Sequence, residues 1–130
     1  MKELVNPLLG TKYTRVFHED EDQMQYNAPH RFFVSVSSVT EKDVNDTQLN
    51  INPIAEIHFQ EGPIQECGVN GVANEDLLIM VITRLEHFQK SAYRCKENAV
   101  AITKLEEAML WLRKRTMGRD QRGVEGTSII

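Results

Sequence analysis

The sequence predicts an α+β protein, a small N-terminal antiparallel β-sheet followed by a long C-terminal antiparallel helical hairpin. Between Arg31 and Gln60, β-branched and aromatic residues alternate in two short runs with the period of a strand. From Asn74 onward the apolar residues recur at three- and four-residue spacing in two blocks, the period of an amphipathic helix. The polar segment Lys90 to Lys96 between the blocks has no sustained period, so the economical arrangement is an αα-hairpin. The chain then divides into residues 1–73, a small β-rich region, and residues 74–130, the hairpin with a basic tail. A length of 130 residues suits one domain with a shared core, or two small lobes.

Taken in order, Met1 to Tyr26 shows little periodicity, and the acidic run Glu19 to Asp22 reads as a solvated loop. His18 beside it is not expected to bind metal, because hard-metal loops need glycine and a defined ligand spacing. The first strand lies in Arg31 to Val39, where Phe32, Val34 and Val36 alternate with Phe33, Ser35 and Ser37. Glu41 to Asn50 is polar and turn-rich. A second strand, Ile54 to Gln60, puts Ala55, Ile57 and Phe59 on one face and pairs antiparallel with the first. Pro53 sits at its start, where a missing amide proton is tolerated, and Gly62 and Pro63 end it. Ile64 to Val69 is either a short third strand or an extended crossing, and Asn70 with Gly71 marks a tight turn. Asn74 fits the N-cap of the first helix, with Glu75 and Asp76 at the positive end of its dipole. The expected inner stripes are Leu77, Val81, Leu85 and Phe88, then Ile102, Leu105, Met109 and Leu112. Gly118 is a candidate C-cap, although Asp120 and Arg122 are compatible with a helix that continues.

The net charge of −4 argues against a nucleic-acid polymer or an anionic membrane as partner, since both demand a large basic field. The charge is divided unevenly: residues 1–75 carry five Lys and Arg against twelve Asp and Glu, and residues 76–130 ten against seven. That asymmetry suits a local cationic pocket for a small anion, and equally suits charge pairing between subunits. No run reaches the roughly 18 apolar residues of a membrane span, and Met1 to Gly10 lacks signal-peptide character, so a cytoplasmic location is expected. Cys67 and Cys95 have no ligand-spaced partner and read as buried thiols.

No Gly-x-Ser-x-Gly, histidine pair at ligand spacing or phosphate-binding glycine loop is present, so no catalytic residues, metal or cofactor are predicted. His18, His30, His58 and His87 are scattered. Binding elements are clearer. A hairpin brings Phe88, near the end of its first helix, to the same corner as Asn98, which opens the second. Phe88 could equally be core, and Asn98 an N-cap. Arg115, Arg119 and Arg122 fall at i, i+4 and i+7 and would form an anion-sized row on one helical face. Cations also suit a helix C-terminus, but lysine would serve the dipole as well, whereas guanidinium forks phosphate. In one protomer these arginines lie roughly 25–30 Å from the corner at about 1.5 Å per residue, so a shared site must form between subunits.

GPIQECGVNGVANEDLL, RLEHFQ, CKENAVAITKLEEAMLWLRKRT and RDQRGVEGT together resemble the first type of phage Thoeris anti-defence protein. The resemblance covers about Gly62 to Thr127; its hairpin is shared with a phage sponge for CBASS cyclic oligonucleotides. It implies a non-enzymatic homo-oligomer, a dimer or trimer of dimers, that sequesters glycocyclic ADP-ribose made by TIR-domain proteins. A separate site for cyclic trinucleotides is implied, mapped to no individual residue, with the RGVEG tail as its candidate segment. By motif, Phe88 would stack on adenine, Asn98 would hydrogen-bond the ligand, and Arg115 and Arg119 would hold the diphosphate, with Arg122 completing the row. The competing class is a structural hairpin oligomer with no small-molecule ligand.

Overall fold

Strand-period residues build a four-stranded antiparallel sheet in the N-terminal half of the computed structural model, which describes residues 1–130. The strands are β1 (Lys2–Glu3), β2 (Thr14–His18), β3 (Arg31–Val36) and, after the short helix α1 (Glu41–Asn45), β4 (Ala55–His58), in the spatial order β1-β2-β3-β4. β3 and β4 are the two strands legible from alternation, and they pair antiparallel, Phe32 opposite Ile57. With the second half helical, the architecture is α+β.

The region with little periodic signal contributes β1 and the central strand β2. Register explains why β2 matters: Phe17 faces Phe33, ring edge to ring face at 6.1 Å, and these two side chains with Ser35 form the buried layer of the sheet. Phe32 meets Phe59 edge-on at 5.5 Å on the other, half-buried face. Glu19, expected in a solvated loop, is buried instead. Its Oε1 accepts the His30 backbone N–H at 2.6 Å and its own N–H donates to the Arg31 carbonyl, which closes the β2–β3 connection. Tyr26 and Asn27 both take positive φ in the middle of that connection, as a type I′ turn requires.

Glu41 to Asn50, read as turns, contains α1. The helix forms without an apolar stripe because a full capping box starts it: Thr40 Oγ1 accepts from the Asp43 N–H, and Asp43 Oδ2 accepts from the Thr40 N–H.

The chain divides into two units: Met1–Gly62 with Val69–Gly71, which holds the sheet, and Pro63–Gly68 with Val72–Ile130. In the second unit, Ile64–Cys67 is neither strand nor extended crossing but a helical turn, α2, with the ring of Pro63 setting its start. The long helices are α3 (Asn74–Gln89) and α4 (Lys96–Gln121). Asn74 is the first residue of α3 and not its cap. Ala73 holds the cap position; it has no side-chain acceptor, so capping comes from Asp76 Oδ2, which accepts the Ala73 N–H at 2.8 Å. α4 passes through Gly118 to Gln121 and is capped by Arg122, followed by Gly123 at φ 72, because a left-handed residue is needed there and Gly118 stays helical.

The expected stripe of α3 holds at Leu77, Leu85 and Phe88, all half-buried, but fails at Val81, which turns to solvent while Ile82 is the buried residue, with Leu78 half-buried beside the stripe. On α4 the stripe Ile102, Leu105, Met109, Leu112 holds and continues through Thr116 to Arg119. Both thiols, read as buried, are exposed, Cys67 on the last residue of a one-turn helix and Cys95 at the N-cap of α4. No helix is long and apolar enough to cross a membrane.

Candidate functional site

α3 and α4 are antiparallel: one groove of about 500 Å³ is lined by Glu75 and Thr116 from the start of α3 and the end of α4, and by Glu86 and Glu106 toward their connection. The connection end is a built corner. Gln89 brackets Cys95 with two 3.0 Å hydrogen bonds, Oε1 accepting the Cys95 N–H and Nε2 donating to its carbonyl. Cys95 Sγ then accepts the Asn98 N–H at 3.4 Å, so the cap of α4 is a thiol and Asn98 stands in the first turn. The amide side chain of Asn98, half-buried, makes no hydrogen bond within the chain and is open to solvent.

Phe88 is half-buried at this corner. The guanidinium of Arg84, one turn earlier on α3, lies 5.3 Å from the ring centroid, and Tyr93 meets the ring edge-on at 6.5 Å. Sequence reasoning missed both neighbours. The i, i+4 spacing of Arg84 and Phe88 was a usable signal; Tyr93, in an aperiodic connection, gave none. The corner thus offers two aromatic side chains, a cation and an amide free of intrachain bonds.

The other end of α4 does not present the expected row. Arg115 is exposed and has no partner in the chain. Arg122 is exposed at the helix end, its Nη1 donating to the Ile130 carbonyl. Arg119 is buried at 8 % exposure, because it occupies the next position of the core-facing stripe. Its guanidinium is spent on the tail: Nη1 donates to the Ile129 carbonyl at 2.9 Å, Nη2 to those of Val124 and Thr127 at 3.0 Å, and Nε to Glu125 Oε2 at 3.2 Å. Asn98 and Arg115 stand about 26 Å apart along the uninterrupted α4 at roughly 1.5 Å per residue, so one chain does not bring corner and arginines together.

The hairpin and the corner it builds can be compared with known proteins. Residues 52–117 match the family model described as Acb2/Tad1, hairpin domain. A protein of Bacillus phage SBSphiJ7 named Thoeris anti-defense 1 is 50 % identical over 98 % of this chain and 98 % of its own length. The chain belongs to the Thoeris anti-defense 1 family. Identity at that level over nearly the whole length extends the Thoeris anti-defense 1 kinship to the sheet unit, beyond the hairpin that carried the motifs.

Proposed function

We propose that the protein is a phage anti-defence sponge acting in the cytoplasm of the infected bacterium. It binds glycocyclic ADP-ribose, keeps it from the Thoeris effector and releases it chemically unchanged. The observation that carries this is the corner, where Phe88 and Tyr93 offer aromatic surface at the same hairpin end as Asn98, whose amide makes no bond within the chain. Base stacking is worth about 1–3 kcal/mol and each charge-assisted contact about 1.5–3. Together they approach the roughly 12 kcal/mol that a nanomolar sponge needs.

The phosphates would be held by Arg115, Arg119 and Arg122 of a second chain packed antiparallel along the hairpin. Support for self-association comes from exposed apolar residues on both helices, Ile79, Met80, Leu110, Trp111 and Met117 among them. Area supports it too. Two independent compact globules of half the mass would expose about 8,400 Å² together; the chain exposes 9777 Å².

Calorimetry against cyclic ADP-ribose isomers and cyclic trinucleotides tests the proposal, with mass spectrometry of the released ligand. Tight binding of glycocyclic ADP-ribose with quantitative recovery is expected, and cyclic trinucleotides should bind without competing. Steady conversion to a linear product would make the protein an enzyme. A monodisperse oligomer that binds none of the panel would leave the structural hairpin as the better account.

A further inference from the structure

Arg119 makes four hydrogen bonds to a tail that is itself firmly placed. Gln65 of α2 donates its backbone N–H to the Gly126 carbonyl at 2.8 Å and its Nε2–H to the Glu125 carbonyl at 2.7 Å. Ser128 Oγ donates to Glu66 Oε1 at 3.1 Å. Gly126 adopts φ 78 and a side chain there would strike Gln65, so the tail takes one path over α2. Of the four acceptors on Arg119, three are backbone carbonyls fixed by that path. The fourth, Glu125, differs in every respect that governs exchange: it is a side chain, it carries a charge, and at 34 % exposure it is already partly in water.

We propose that Glu125 is a resident anion on Arg119. It stands where a phosphate oxygen would stand, and an anionic ligand binds here by exchanging with it while the three carbonyls stay in place. The carbonyls keep the guanidinium oriented and hold three of its five N–H donors, so the exchange needs only one side-chain rotation and no loss of the tail. The consequence is selection by charge. A ligand must bring an anion able to displace a carboxylate, and neutral adenine compounds gain nothing from Arg119. This deepens the phosphate role proposed above and rests on it for the identity of the ligand.

The test uses the full-length protein, with inorganic pyrophosphate and glycocyclic ADP-ribose as separate probes in calorimetry. Glu125→Gln should bind each about two- to fivefold more tightly, the range of a partly exposed ion pair. Gln65→Ala, which loosens the tail but leaves the charge on Arg119 unchanged, should bring no such gain. An unchanged or weaker affinity in a folded Glu125→Gln protein overturns the exchange, and so does an equal gain from Gln65→Ala. In the wild-type protein the Arg119 Nε–H resonance should move saturably with pyrophosphate; a resonance that stays put overturns it independently of any variant. If pyrophosphate exchanges as described and glycocyclic ADP-ribose does not bind, the exchange stands and the ligand assignment falls. If glycocyclic ADP-ribose binds wild type and Glu125→Gln alike, the assignment stands and the exchange falls.

Discussion

Two variants that each fail alone should restore binding when mixed, if the site draws its aromatic corner from one chain and its arginines from another. Phe88→Ala removes a stacking surface worth about 1–3 kcal/mol, and Arg115→Ala a charge-assisted contact worth about 1.5–3. Taking about 2 kcal/mol for each, either variant binds roughly thirtyfold more weakly than wild type. In a two-fold dimer each heterodimer contains one pocket with both defects and one with neither. Random exchange makes about half of the dimers mixed, so roughly a quarter of the wild-type number of sites returns at full affinity. Native mass spectrometry establishes the mixed population, and calorimetry reads the tight fraction. The double variant Phe88→Ala/Arg115→Ala mixed with wild type is the control: its heterodimers have no intact pocket, so exchange should lower the tight fraction from about half to about a quarter of the wild-type number, whereas in the test mixture it should raise it from none to about a quarter. Verified heterodimers without a tight fraction would refute a site built between chains, whatever else the protein binds.

Arg119→Ala removes four hydrogen bonds at once, but the freed tail can then reach water, so the net loss should be about 2–4 kcal/mol. Urea unfolding measures that loss, and hydrogen exchange should show residues 124–129 deprotected. In the sheet unit, Gly71→Ala would drive its Cβ into the Phe59 carbonyl group, backbone that cannot give way, and should lower stability by about 1–3 kcal/mol in the same assay. The Thr40 backbone N–H, then the Thr40 hydroxyl, hold the Asp43 carboxyl below its ordinary value of 3.8. The capping box of α1 is therefore fully present above pH 3.8 and lost as pH falls through the lower folded value; hydrogen exchange across α1 should rise only there, and Asp43→Asn should remove the transition.

The hairpin was legible because two long apolar stripes can be nothing else, and β3 and β4 because their alternation is clean. β2 was not, since Thr14–His18 carries Arg15 and His18 among its five residues, and only the pairing of Phe17 with Phe33 shows which residues belong inside. α1 has no stripe at all; its cap makes it. At the candidate site, the corner of Phe88 and Asn98 followed from topology alone. Arg119 did not. The spacing Arg115, Arg119, Arg122 describes one face of a bare cylinder, but Leu112 and Thr116 had already committed position 119 to the inner side. The acceptors that make a buried arginine tolerable are backbone carbonyls, which no pattern of residue types displays.

The buried apolar side chains number three, Phe17, Phe33 and Ile82, which is little for a chain of this mass. If the exposed faces of α3 and α4 close against further copies, then folding and assembly share one equilibrium, and mass action enters the stability of the protein. Dilution would act as a denaturant does, and the thermal midpoint would climb with concentration. Expression level would then set two quantities together: how many binding sites exist, and what fraction of the chains is folded well enough to form them.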